Sequence, residues 1–188
     1  MEQRVSRLKR EIEQRRENKK PFLVAIDGGS ASGKSTLGAA LAEELQATLI
    51  HMDDFFLPME MRTEERFAQP GGNVHWERVR AEVLEPIRQG KGPEYGVFDC
   101  SVMAVNKTVR AEVRDVVIVE GAYSLHPMLR EYFDLRVLVE VEESVQKERI
   151  LRRNGEKMAA RFFKEWIPLE EKYFSLTDAK NRCDVLIS

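Results

Sequence analysis

The sequence predicts an α/β fold in which a parallel sheet is covered by helices on both faces. Three observations predict it. Short, near-continuous apolar runs recur at residues 22–26, 47–52, 116–119, 135–141 and 184–187, the pattern of strands buried on both sides. Segments of helical periodicity separate these runs. The first run also ends in a glycine-rich turn and is followed by Leu37, Leu41 and Leu45 at four-residue spacing, so its context reads strand, loop, helix.

Taken in order, the first twenty residues carry Arg4, Arg7, Lys9, Arg10, Arg15, Arg16, Lys19 and Lys20, with Val5, Leu8 and Ile12 at helical spacing among them. That is a basic amphipathic helix (1–20) whose thin apolar stripe docks on the main domain (21–188). Its charged face reads as solvated, with a docking arm for an acidic partner as the alternative. Pro21 opens the first strand. The second strand, 47–52, stops at Asp53-Asp54, and the stretch through Gln69-Pro70-Gly71-Gly72-Asn73 reads as loop. A helix follows from Trp76 to Gln89, with Val79, Val83, Leu84 and Ile87 on one face and Gly90 at its end. Short alternating segments at 102–105 and 107–109 suggest a small hairpin. The third strand, 116–119, ends at Glu120-Gly121. The fourth and fifth strands enclose helices at 144–153 and 156–174, broken at Asn154-Gly155.

Bulk properties narrow the function classes. A chain of 188 residues suits one domain with a full core. A net charge of −2 gives no global attraction to nucleic acid or anionic lipid, and the basic N-terminus lacks the interleaved aromatics of a nucleic-acid module. No apolar run approaches the roughly 20 residues of a membrane span, so no membrane partner is expected. Cys100 and Cys183 lack C-x-x-C spacing and read as free thiols, which points to a reducing, cytoplasmic setting.

The nine residues Gly28-Gly29-Ser30-Ala31-Ser32-Gly33-Lys34-Ser35-Thr36 match G-x-x-x-x-G-K-[ST], a loop that wraps nucleotide phosphates. Backbone N–H groups at the start of the following helix point at an anion placed there, and the helix dipole adds to their pull. Lys34 is expected to reach the β- and γ-phosphates of ATP or GTP, and the Ser35 hydroxyl to ligate Mg²⁺. Ligands of open α/β sheets lie beyond the carboxyl ends of the strands, where Asp27, Asp53 and Glu120 stand. Glu120 fits the acidic residue that holds the metal. Asp53, beside Asp54 and the aromatic wall of Phe55-Phe56, fits a general base for an alcohol. Asp54 reads equally as a turn cap. Arg149, Arg152, Arg153 and Arg161 lie on one basic helical stretch that could cover the phosphates as a mobile lid (about 149–161) and exclude water. His51 and His126 read as structural.

The ordering of GGSASGKST, Met52-Asp53-Asp54-Phe55-Phe56, Asp115-Val116-Val117-Ile118-Val119-Glu120-Gly121 and Arg149-x-x-Arg152-Arg153 resembles the uridine kinase and phosphoribulokinase-like group of P-loop kinases. The resemblance covers residues 21–188. Asp53-Asp54-Phe55-Phe56, Trp166-x-Pro168 and Tyr173 are also similar to nicotinamide riboside kinases. It implies a P-loop NTPase fold with a five-stranded parallel sheet and a helical lid. It also implies ATP and Mg²⁺ as cosubstrates, and transfer of the γ-phosphoryl to a small-molecule hydroxyl, most simply that of a nucleoside. By the same resemblance Lys34 and Ser35 take the phosphate and metal roles, Asp53 the base, Glu120 the second metal contact, and Arg149, Arg152 and Arg153 the lid. His75 stands where these relatives place an Asp that grips ribose hydroxyls, and a neutral imidazole is the poorer acceptor. By the same resemblance Tyr95, in Pro93-Glu94-Tyr95, corresponds to the family's tyrosine of a P-x-Y segment, and is expected either to stack on a base or to fill core. Kinases of other sugar-like alcohols, and a regulatory ATPase with water as acceptor, are the competing readings. Monomer and homo-oligomer are both left open.

Overall fold

Alternate residues of strand β1 (Phe22–Gly28) enter opposite halves of the core. Phe22, Val24 and Ile26 join one apolar cluster, and Leu23 and Ala25 join another. A strand buried on both faces belongs at the centre of a covered sheet. The computed structural model, which describes residues 1–188, places β1 there. It pairs in parallel with β5 (Val116–Glu120) and β6 (Leu135–Val139), and the order β2-β5-β1-β6-β7 is completed by β2 (Thr48–His51) and β7 (Val185–Ile187). The expected five-stranded parallel sheet is therefore the observed one.

One face is covered by α1 (Glu2–Arg16) and α2 (Lys34–Leu45), which bring Leu8, Ile12, Leu37 and Leu41 into one apolar cluster with residues of β1, β5 and β6. Leu8 and Ile12 are fully buried, and each contributes on the order of 1.5–3 kcal/mol through that burial. They fix α1 on the domain. The other face is covered by a helix over 76–88, whose hydrogen bonding loosens to π-type at Val79–Leu84. There Val79, Val83, Leu84 and Ile87 form the expected apolar side.

Elsewhere the boundaries shift. The second strand ends at His51, and Met52–Phe55 winds into a 3₁₀ turn that carries Asp53 out of the sheet. Within the stretch read as loop there is a short helix, α3 (Glu64–Ala68), capped by the Thr63 hydroxyl, which accepts from the Arg66 N–H at 3.1 Å. The helix over 76–88 is then α4. The hairpin is present, but it pairs β3 (Glu94–Asp99) with β4 (Ala104–Arg110), so 102–105 and 107–109 are the turn and one strand of it. The break in α5 (Glu143–Arg161) falls at Gly155, whose φ of +71° interrupts the helix. α6 (162–176) and α7 (Ala179–Arg182) lead to β7. No helix is long and apolar enough to cross a membrane.

Candidate active site

The loop between β1 and α2 can exist only with glycine at two positions. Gly33 holds φ +96° as the N-cap of α2, and a Cβ on Gly28 would stand 2.5 Å from the Val139 carbonyl oxygen. Side chains distant in sequence then brace the loop from behind. The Ser30 N–H and hydroxyl donate to the Glu170 carboxylate at 2.8 and 2.6 Å, and Gln146 Nε2 donates to the Ser30 carbonyl at 2.8 Å. Arg149 Nη1 donates to the carbonyls of Ala31 and Ser32 at 3.0 and 3.3 Å. Glu170 is buried, which pushes its carboxyl up against the pull of the Ser30 bonds.

Asp27 anchors the base of the loop. Oδ1 accepts from the Gly28 and Tyr123 N–H groups at 2.7 and 3.0 Å, and Oδ2 accepts from the Leu125 N–H at 2.9 Å and the Tyr173 hydroxyl at 2.8 Å. Complete burial pushes this carboxyl up to about 6, against the Leu125, Tyr173 and Gly28 bonds and the Lys34 charge. Saturated by protein donors, Asp27 ties the end of β1 to the segment after β5 and to α6.

On the open side, β2 and β5 pair with His51 opposite Glu120. His51 Nδ1 lies 2.6 Å from Glu120 Oε1, and the Ser35 hydroxyl donates to Oε2 at 2.9 Å. The Glu120 hydrogen bond raises the His51 imidazole above its ordinary value, against its partial burial. Lys34 Nζ donates to the Gly29 carbonyl at 3.4 Å, across the loop. Asp53 remains open to solvent and hydrogen-bonds to no protein group. The surrounding walls push its carboxyl up, and Lys34 draws it back.

Lys34 and Ser35 also line a cleft of about 550 Å³, together with the rest of residues 31–36, Arg149, Arg152 and Arg153, and the first turn of α1; His51, Asp53 and Glu120 are not part of its lining. The Ser32 hydroxyl beneath it is buried without a partner, which is costly for a lone hydroxyl and suits a loop that receives an oxygen-rich ligand. The donor set fits a nucleotide's phosphates: backbone N–H groups at the start of α2, an ammonium and three guanidiniums. Ser35 and Glu120 are oxygen donors of the kind Mg²⁺ takes together with phosphate oxygens.

The structure thus brings together Lys34, Ser35, Thr36, Asp53, Glu120, Arg149, Arg152 and Arg153, and it adds His51, which the sequence alone reads as structural. Gly29 instead lines a second cavity, of about 620 Å³, behind the loop. Four expected acceptor contacts sit differently. Phe55 is completely buried and stacks on Tyr95 at 5.2 Å, so both rings are core and Phe56 is the half-buried aromatic. Arg161 is exposed, paired with Glu165 at 3.0 Å, and does not line the cleft. His75 Nδ1 lies 3.1 Å from Glu77 Oε2, and burial lowers it so that the ring stays neutral. Arg66 forks the same Glu77 carboxylate at 2.7 and 2.8 Å. His126 is structural as expected, stacked on Trp76 at 5.5 Å and lowered to about 4 by burial.

Comparison with known proteins adds three findings. Residues 22–163 match the family model described as chloramphenicol phosphotransferase-like protein. A uridine kinase of Clostridium perfringens is 29% identical over 145 residues, covering 72% of this chain and 67% of that protein. Two solved structures share the fold. One, from Bacillus stearothermophilus and described as a possible uridine kinase, has a TM-score of 0.75 at 19% identity and covers 100% of this chain and 98% of its own. The other, the D-glycerate 3-kinase of Cryptococcus neoformans, has a TM-score of 0.63 at 15% identity, covering 90% and 87%. The chain belongs to the chloramphenicol phosphotransferase-like family, and it is a P-loop kinase that phosphorylates a hydroxyl group.

Proposed function

We propose that the protein transfers the γ-phosphoryl group of ATP, with Mg²⁺, to the primary hydroxyl of a nucleoside of the uridine or cytidine kind. The observation that carries this reading is the convergence of Lys34, the Ser35–Glu120 pair at 2.9 Å and the unpartnered Asp53 carboxylate at one edge of the sheet. Phosphoryl transfer asks mainly for positioning and charge neutralisation, and these residues supply both. The loop N–H groups and Lys34 hold the β- and γ-phosphates. Ser35 and Glu120 would hold Mg²⁺, which would neutralise charge on those oxygens. His51, hydrogen-bonded to the far oxygen of Glu120, orients that carboxylate. Asp53 accepts the proton of the attacking hydroxyl, for which its raised affinity and lack of a competing partner suit it. Arg149, Arg152 and Arg153 counter charge on the transferring group and keep water out.

A second reading has its own support. His75, neutral and turned to Glu77, replaces the carboxylate that would grip two ribose hydroxyls, and this favours a different sugar-like alcohol, nicotinamide riboside included. The deciding experiment incubates the protein with ATP–Mg²⁺ and a panel of nucleosides and small polyols, and detects phosphorylated product by mass. A gain of one phosphoryl on uridine or cytidine is the expected result. Product from another alcohol alone selects the second reading, and ADP release that no acceptor accelerates removes both.

A further inference from the structure

Helix α1 reaches the cleft as well as the core. Residues four apart share one face of a helix, so Arg4, Leu8 and Ile12 form a single stripe. Leu8 and Ile12 are completely buried beside Leu37 and Leu41 of α2. The two helices run side by side in the same direction. Ile12, Glu13 and Arg16 lie beside the last turns of α2, while Arg4 borders its first turn, at the phosphate loop. Burial of the stripe therefore sets where Arg4 stands.

The basic residues further along α1 are largely committed to the domain body. Arg7 donates to the Leu186 carbonyl at 3.0 Å, Lys9 pairs with Glu44 at 2.5 Å, and Arg15 pairs with Asp184 at 3.6 Å. The guanidinium of Arg4, a half-buried residue, has neither a hydrogen-bond acceptor nor a carboxylate partner. The cleft it lines has eleven lining residues, five of which are the cations Arg4, Lys34, Arg149, Arg152 and Arg153, with no carboxylate and no aromatic ring among them. In a chain of net charge −2 that is a strong local excess. Cations held together repel one another until a polyanion enters, and a wall without rings offers nothing for a base to stack on. The wall is made for phosphates.

We infer that Arg4 is a binding residue for the donor nucleotide, its guanidinium meeting the phosphate chain from the side opposite the lid arginines, so that α1 forms a wall of the nucleotide site. The inference rests on the reading that this cleft holds ATP. It is tested by calorimetric titration of the full chain with ATP, AMP and inorganic tripolyphosphate, comparing the parent with Arg4→Gln, Arg4→Lys, Arg10→Gln and Lys34→Ala. Arg10 is exposed on the outer side of α1 and controls for the loss of one positive charge. Arg4→Gln is expected to weaken ATP and tripolyphosphate by about 5-fold and AMP by less, as one partly solvated charge-assisted contact would. Arg4→Lys is expected to recover part of the loss, and Arg10→Gln to bind as the parent does. Unchanged ATP affinity in Arg4→Gln, an equal loss for AMP, or an equal loss in Arg10→Gln overturns the inference while leaving the nucleotide reading intact. Failure of the parent to bind ATP, or full affinity in Lys34→Ala, overturns that reading and this inference with it.

Discussion

Around the phosphate loop the backbone is held by side chains from three other elements, whereas the facing stretch from Met52 to Arg78 is assembled from short turns that brace one another. On the donor side Asp27, Gln146, Arg149 and Glu170 fix the loop and its base through nine hydrogen bonds. On the acceptor side a single β-bridge between Phe56 and Val74 closes the excursion, and arginines substitute for regular structure: Arg62 Nε donates to the Leu57 carbonyl at 2.9 Å, and Arg66 donates to Gly72 and Val74 at 3.1 and 3.0 Å. On the proposed function the contrast follows from what each side binds. Phosphates are common to every kinase reaction and reward a rigid cradle. An acceptor differs from enzyme to enzyme, and loops on a fixed scaffold accommodate that variation.

Asp53 stands where the two sides meet, and replacing it should separate them. Asp53→Asn is expected to retain ATP affinity while kcat falls by about 10²- to 10⁴-fold, the contribution usual for a general base. Titration calorimetry and steady-state kinetics on the same preparation check both halves. Undiminished turnover would take the base role from Asp53 and blur the boundary between the sides.

The donor side was largely legible in the sequence, because its signal is local: nine consecutive residues, the strand before them and the leucine spacing after them. Its braces were not, because Gln146 and Glu170 lie 116 and 140 residues from the Ser30 they hold. A hint existed at Glu170, which shares with Tyr173 the buried face of an otherwise amphipathic helix, where an acid requires a partner. His51 was passed over as a lone imidazole; only the pairing of β2 with β5 brings it to Glu120. On the acceptor side Phe55 and Tyr95 carried the composition of a binding wall, yet the 3₁₀ turn at Met52–Phe55 rotates Phe55 inward onto Tyr95. Turn geometry of that kind leaves no periodic trace. Arg161 followed the basic run of α5, but the break at Gly155 and the Glu165 pair remove it from the cleft.

The rigidity of the donor side has a pH signature. Asp27 binds its proton more tightly when folded, at about 6 against the ordinary 3.8, so between those values the native state holds a proton that the unfolded chain has released. Stability from this group therefore falls as pH rises from about 4 to about 6 and is level above that, by on the order of 3 kcal/mol in all. Asp27→Asn cannot titrate. Urea unfolding of both proteins from pH 4 to pH 7 should show the parent's advantage over the variant narrowing across that window. A gap constant with pH would mean that the hydrogen bonds of Asp27 cancel its burial, and a gap that widens as pH rises would mean that they outweigh it.

The smallest expected effect lies on the acceptor side and sharpens the contrast most directly. If the loops there only present side chains, then His75→Asp supplies a two-oxygen acceptor at the position where the resemblance to uridine kinases implies one, without disturbing the phosphate loop. The added charge sits beside Glu77, which repels it, but Arg66 already holds Glu77 in a bidentate pair and moderates that cost. KM for a ribonucleoside should fall by about 3- to 10-fold, worth roughly 1 kcal/mol of added hydrogen bonding, while KM for ATP stays at the parent value. A 2′-deoxynucleoside, lacking one of the two hydroxyls, should gain less. Equal gains for both sugars would show that the new carboxylate acts through general electrostatics, and a shift in KM for ATP would show that the two sides are mechanically coupled after all.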